Sequence, residues 1–514
     1  MADRYDDVIV GAGSSGAALA ARLSEDPARR VLLIEAGPDY TDDEVPAEVK
    51  LGTSPLMTGS HDWGYQADAG TAGRSIAYFR GKVTGGSSAI NTAIALRGTP
   101  ADFENWVGFG LPSWRWEDVL PFYIALEDDP EGEGPDHGKD GPIPVRRDTF
   151  GPLRPVQKAF ADACNELGYP TVDDLNNGEL DPQGSVGKLP MNVVDDVRMS
   201  TALTYLSTAR GRANLTVLAD RTVDRVLIEN GAATGVVVRK GGVGERYDAG
   251  RVTLSAGAFG TPAILMRSGI GPRATLNALG VEVVADLAGV GENLMDHPTS
   301  ALALAPRPGV CNAEDPLVQM MLRYTSSGSS DVDDMQLYFL SNVDLGGGWS
   351  TEAGEMAGAS LAPILNPGLQ KPRSRGRVAI TSPDPDAAPA IELRFLSDDE
   401  DRRKLIEGMR VSAKLAATTP IASLIDGMVG LTPEAMESDA AVSEYLDATV
   451  TTILHASGTA RMGRADDPMA VVDERFGVHG VANLRVVDAS VMPEIVRANT
   501  NLTCIMLAER AATL

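Results

Sequence analysis

Cysteine, histidine, aromatic residues and positive charge are all scarce in this 514-residue chain, and each shortage closes off a class of function. The three cysteines, Cys164, Cys311 and Cys504, lie far apart with no paired spacing. They suggest neither a disulfide framework nor a thiolate metal site, and they fit a reducing compartment. The five histidines, His61, His137, His297, His455 and His479, form no HExxH or similarly spaced ligand set. No metal centre is therefore expected. Phe, Trp and Tyr make up 5% of the residues, which argues against the aromatic cage that holds a quaternary ammonium. No run of about 18 apolar residues occurs, and no basic segment followed by an apolar one opens the chain. A soluble, cytoplasmic protein is expected. Lys and Arg number 45 against 71 Asp and Glu, a formal charge of −26. That balance leaves no basic stripe for nucleic acid or for an anionic membrane.

What is present is glycine at particular places. The length suits two domains, or one domain with a large insertion. The stretch "YDDVIVGAGSSGAALAARLSED" runs from a short apolar strand through a glycine turn into an alanine-rich helical pattern. Gly11, Gly13 and Gly16 fall as GxGxxG between that strand and that helix. The first permits the tight turn, the second lets backbone approach a pyrophosphate, and the third lets helix pack on strand. The phosphate then meets the helix N-terminus. A second strand, "RRVLLIEAG", ends at Glu35, 24 residues after Gly11, where an acid would meet a ribose hydroxyl. Glu35 would repel a 2′-phosphate, so NAD or FAD is expected rather than NADP.

Further small-residue stretches follow. In "RGKVTGGSSAINTAIALRGTPADFENW" (80–106), Gly85, Gly86, Ser87 and Ser88 form a turn of little bulk with free N–H groups. Close approach to a phosphate or a flat ring requires such a turn. "SAGAFGTPAILMRSGIGP" (255–272) follows strand-like "RVTLSAG", and "LRVVDASVMP" (484–493) ends a strand on Asp488. In this order, and with "HASGTARMG" and "ANTNLTCIMLAER" near the C-terminus, these stretches resemble the glucose–methanol–choline family of FAD-dependent oxidoreductases over nearly the whole chain. The resemblance implies an α/β fold in two parts. A Rossmann-type FAD-binding domain would be assembled from 1–150, 206–300 and 450–514. A substrate-binding domain, mainly antiparallel sheet flanked by helices, would come from 151–205 and 301–449. The implied cofactor set is Gly11, Gly13, Ser14, Ser15, Gly16, Glu35, Ala36, Gly81, Val83, Gly85, Gly86, Ser87, Asn91, Val223, Asp488, Ala489 and Asn501. The residues themselves agree with that architecture. Residues 231–257 alternate and turn like a β-meander, 401–418 have helical period, and 325–331 and 344–349 read as loops around a cleft.

Oxidising an alcohol by hydride transfer requires removal of the hydroxyl proton, a task suited to a histidine titrating near neutrality. In "TILHASGTARMG", His455 precedes a small-residue turn. By the resemblance a histidine here faces the flavin, with a partner about 44 residues on; that spacing selects Asn499 and not Asn501. If the last helix begins near Thr500 or Asn501, Asn499 lies in the preceding loop with its amide free. Asn501 would then cap the helix, whose positive end the resemblance sets against the flavin's pyrimidine edge. His297, in "NLMDHP", is expected to organise the domain junction, and His61, His137 and His479 to occupy the surface or turns. Where some family members attach FAD covalently to a histidine, this chain has Ile90, so non-covalent FAD is expected. The resemblance implies alcohol oxidation with O2 as acceptor, giving H2O2. Two alternatives are a dehydrogenase using a quinone or other acceptor, and a lyase that binds FAD but cleaves cyanohydrins. Within the family, the C-terminal core is similar to bacterial oxidases of small aromatic or furanic primary alcohols. The stretches "GTAGR" (70–74) and "HGKDGPIPV" (137–145) resemble oxidases of a vitamin B6 alcohol.

Overall fold

The computed structural model describes residues 4–52, 61–71, 73–177, 181–241, 243–345 and 357–514. Its first unit follows from the opening motif. β1 (Arg4–Val10) ends at Gly11, α1 (Ser14–Leu23) follows, and β2 (Val31–Ile34) is buried along its whole length. A continuous apolar strand of this kind belongs in a parallel sheet covered on both faces. The chain returns to the same sheet with β3 (Leu215–Leu218), β4 (Thr222–Glu229), β5 (Ala232–Lys240) and β6 (Val243–Leu254), then enters α2 (Gly257–Arg267). It returns once more with β7 (Leu484–Val486) and closes with α3 (Thr500–Ala512), which packs on α1.

The seven strands run in the order β3-β2-β1-β6-β5-β4, with β7 also paired to β6. β1 is parallel to β2 and to β6, with Val8 opposite both Leu32 and Val252. The meander expected over 231–257 is the antiparallel hairpin of β5 and β6, which β4 extends on the N-terminal side. The carboxyl ends of β1, β2, β6 and β7 therefore finish on one edge, where open α/β sheets bind their ligands.

The second unit is a nine-stranded, mainly antiparallel sheet. Its path runs through Ile425–Met428, Leu302–Pro306, Leu361–Leu369, Met335–Asp344, Met320–Tyr324, Gly184–Lys188 and Thr171–Val172. Pro298–Thr299 and Thr451–Thr452 attach beside Leu361–Leu369. The helix Asp399–Ala417, close to the expected 401–418, packs on this sheet, as does Pro155–Glu166. The Asp398 side chain accepts from Glu400 N, and Asp399, Glu400 and Asp401 fill the first turn, complementing the helix's positive end. A small four-stranded sheet ties Tyr65–Asp68 and Ser75–Tyr78 to Arg377–Ala379 and Ala390–Glu392, so the two units share material. Residues 325–331 form a loop; residues 346–349 of the other expected loop, and Ala72 of "GTAGR", lie outside the described residues. Among the described residues no helix is long and apolar enough to cross a membrane, and all three cysteines are free.

Candidate active site

A cavity of about 1600 Å³ is walled by residues of both sheets. On the first-sheet side its wall is made by the residues that follow the parallel strands: Gly11 after β1, Glu35 and Ala36 after β2, Ser255 to Gly257 after β6, and Asp488 and Ala489 after β7. The glycines divide by what a side chain would strike. A Cβ on Gly16 would stand 1.9 Å from Gly11 O, so the protein's own packing demands that glycine. A Cβ on Gly13 would find nothing closer than Gly86 Cα at 3.8 Å. The bare backbone at Gly13 thus serves the cavity, as a closely approaching pyrophosphate requires.

Of the expected cofactor residues, Gly11, Gly13, Ser14, Ser15, Glu35, Ala36, Gly81, Gly86, Ser87, Asn91, Val223, Asp488, Ala489 and Asn501 line the cavity. Gly16, Val83 and Gly85 stand behind that wall. Val83 packs with Val49, Ala89 and Ile90, and the Gly85 N–H donates to Ala12 O at 2.7 Å. Glu35 has a task that its sequence position did not suggest. Its two oxygens accept from Ala12 N at 2.8 Å and Gly37 N at 3.0 Å, which fastens the glycine turn. Burial pushes its carboxyl up to about 7, against the pull of those N–H groups. Asp488 accepts from Gly257 N at 2.8 Å, Thr261 Oγ1 at 2.6 Å and Ser490 N at 2.8 Å, joining the start of α2 to the end of β7. The expected cap at Asn501 is not seen. No side chain caps α3; Asn501 Oδ1 instead accepts from Ser14 Oγ at 2.7 Å and ties the starts of α1 and α3 together.

His455 and Asn499 meet on the cavity wall, with Asn499 Nδ2 3.1 Å from His455 Nε2. The other nitrogen, His455 Nδ1, lies 2.8 Å from His297 Nδ1, the rings crossing at 86°. Two imidazole nitrogens this close need one proton between them. With the Asn499 amide donating to Nε2, the His455 proton belongs on Nδ1 and His297 Nδ1 receives it. Burial, followed by His297 and Arg80, pushes His455 well below its ordinary value. Burial and the Lys371 charge bring His297 down to about 3. The pair is neutral at neutral pH, and the unprotonated His455 Nε2 accepts from the Asn499 amide at the cavity wall.

Asp296 fixes both rings through the backbone. Its Oδ1 accepts from the N–H groups of His297 and His455, each at 2.8 Å. Its Oδ2 accepts from Tyr78 Oη at 2.7 Å and from Thr452 Oγ1. On the far side, Tyr338 Oη lies 3.4 Å from Asn499 Oδ1 and 2.7 Å from Gln336 Oε1. His297, expected to organise the domain junction, thus also touches His455 directly. Sequence reasoning missed Tyr78, Tyr338 and Gln336 altogether; no motif marks them, and the bonds from Tyr78 to Asp296 and from Tyr338 to Asn499 span 218 and 161 residues.

Two histidines expected at the surface or in turns are buried. His61 Nε2 lies 2.8 Å from Tyr40 Oη. His137 sits among Glu127, Asp129 and Asp174. Ligand atoms of Glu127, Asp129 and His137 fall within 4.8 Å of one another, but Arg97 pairs with Glu127, and Arg147 with Asp129 and Asp174. The acids hold His137 up at about 10, so it serves as a cation in an ion network.

Glycine turns at the carboxyl ends of parallel strands, facing a cavity that also holds a neutral imidazole bonded to a side-chain amide, define a dinucleotide-dependent oxidoreductase. The two sequence profiles described as GMC oxidoreductase match residues 5–299 and 372–508, and the chain belongs to that family. It is 35% identical over 540 residues to the 5-(hydroxymethyl)furfural oxidase of a Methylovorus species, covering 99% of this chain and 98% of that one. It is 34% identical over 538 residues to the oxygen-dependent choline dehydrogenase of Photobacterium profundum, covering 100% and 93%. The crystal structure of pyridoxine 4-oxidase from Mesorbium loti matches with a TM-score of 0.89 at 33% identity, over 99% of this chain and 98% of that one. The cofactor is FAD, and the reaction is oxidation of an alcohol CH–OH group.

Proposed function

We propose that this chain oxidises a small aromatic or furanic primary alcohol to the aldehyde, with O2 as the electron acceptor and H2O2 as its product. The observation that carries the reading is the pairing of His455 Nε2 with the Asn499 amide at 3.1 Å, on the wall of the cavity that also holds the glycine turns. FAD, when bound, supplies the acceptor for the hydride leaving the carbinol carbon. Segments 1–150, 206–300 and 450–514 hold it non-covalently, and 151–205 with 301–449 shape the alcohol end. Gly13 and the α1 N-terminus suit the pyrophosphate, Glu35 the ribose, and Ile90 offers no linking atom. His455 takes the hydroxyl proton on Nε2, and its ring is kept in the right tautomer by His297. The Asn499 amide, which donates to that nitrogen in the free site, donates to the substrate oxygen once the alcohol is seated. Burial keeps His455 unprotonated and available at neutral pH, though as a weaker base than the near-neutral histidine the sequence suggested. A cytoplasmic setting fits the three free thiols.

The test is anaerobic addition of benzyl alcohol and 5-(hydroxymethyl)furfural to the yellow protein. Flavin bleaching, followed by stoichiometric H2O2 on admitting air, is expected. Bleaching without O2 consumption would move the acceptor to a quinone or similar carrier. Cyanohydrin cleavage without bleaching would make the protein a lyase.

A further inference from the structure

Asn366 stands in the second-sheet wall with half of its amide uncommitted. Met335–Asp344 and Leu361–Leu369 pair with Tyr338 opposite Asn366 and Leu340 opposite Ile364. Alternate residues of a strand share a face, and these four line the cavity together. Tyr338 also contacts Asn499, so the row adjoins the His455–Asn499 pair. Asn366 is 8% exposed. Its one side-chain partner among the described residues is Thr299, whose Oγ1 lies 2.8 Å from Asn366 Oδ1 and 2.7 Å from Pro367 O.

Thr299 has one hydroxyl proton for these two contacts. A backbone carbonyl can only accept, whereas a side-chain amide can present either end. The proton therefore belongs to Pro367 O, and both contacts are satisfied only when the amide nitrogen of Asn366 donates to Thr299. The Asn366 carbonyl oxygen then faces the cavity as an acceptor with no protein partner among the described residues, open to a donor on whatever occupies the cavity.

We infer that Asn366 is a specificity-determining residue that recognises a hydrogen-bond donor on the substrate. The preferred alcohol then carries a second hydroxyl or an N–H elsewhere on its ring or chain, and a plain hydrocarbon alcohol is a poor substrate. This rests on the alcohol-oxidation reading above.

The test compares 3- and 4-hydroxybenzyl alcohol with the 3- and 4-methylbenzyl alcohols of similar shape. At least one hydroxy compound should have a kcat/KM about tenfold or more above its methyl counterpart, because a site built around a hydrogen bond rejects the analogue lacking it. Asn366→Leu should abolish that preference while leaving the methyl substrates within about threefold. Thr299→Val should also flatten the preference, by freeing the amide to turn, and it guards against misfolding of the Leu variant. Binding gives an independent readout through perturbation of flavin absorbance by 4-methylphenol and by 4-methylanisole, in which the donor is masked. Wild-type enzyme should bind the phenol more tightly, and Asn366→Leu should not discriminate. Equal loss for both substrate sets in Asn366→Leu, or a wild-type preference for methyl compounds, would overturn the inference. Failure to oxidise any alcohol would instead overturn the proposed function, and the binding comparison would still decide the role of Asn366.

Discussion

His455 offers a lone pair to the cavity because its other nitrogen is committed to His297, and this division of labour sets what each substitution should do. His455→Ala should lower kcat by roughly 10²–10⁴ with FAD retained, the usual loss for a general base. Asn499→Ala should be milder. Anaerobic stopped-flow reduction checks both, and near-wild-type reduction of the His455 variant would mean that another group takes the proton. The acid limb of kcat/KM should lie below pH 6.5, because burial holds the folded His455 well under its ordinary value and the base stays unprotonated as pH falls. His297→Ala should cost about tenfold in kcat/KM by freeing the tautomer, and should move that limb upward. A loss with an unmoved limb would reduce His297 to packing. Glu35 runs the other way. Its folded value is raised to about 7 from 4.5, so its contribution to stability is present below pH 4.5 and is lost as pH rises through 7. FAD-free wild type should therefore lose melting temperature relative to Glu35→Gln across that window. At this scale the motif-borne residues were readable as a group: spacing marked Gly13 and Glu35, the family resemblance marked His455 and Asn499, and all four line one cavity. His297 and Tyr338 were not, because each matters through a partner about 160 residues distant, and one sequence carries no trace of such pairings.

The elements show why Asn501 was misjudged. Its place in the first turn of α3 resembles a cap, and spacing alone cannot reveal that Ser14 reaches it from 487 residues away. With Ser15 Oγ donating to Cys504 O at 2.8 Å, two bonds join the N-terminal ends of α1 and α3. Both helices then aim their positive ends at one cavity. Asn501→Ala should lower the melting temperature and speed FAD loss on dilution, with turnover of the fully loaded enzyme nearly unchanged. A larger turnover loss than in Asn499→Ala would exchange the roles of the two amides. Period and alternation did forecast the β5–β6 hairpin and the long helix Asp399–Ala417, since those signals are local. The four-stranded sheet was beyond reach, because its two short hairpins join through one pairing, Asp68 with Glu392, some 300 residues apart, and no strand is apolar enough to declare itself.

For the whole molecule, the interleaving of segments matters more than any one of them. Acid precipitation should release intact FAD into the supernatant, because Ile90 supplies no atom for a covalent link; flavin remaining with the pellet would disprove this. The pinning of both histidine backbones by Asp296 also sets a timetable for making the protein. One carboxylate at position 296 waits for a partner at 455, and the glycine turn at 11–16 waits for α3. A ribosome that has emitted β1, α1 and β2 has made only the first part of a nucleotide cradle; β1 still lacks β6, and the cavity has neither His455 nor Asn499. Competence thus arrives late and all at once, with the emergence of residues 455–512. Until then the growing chain holds apolar strands without their neighbours, the condition in which nascent proteins depend most on chaperones.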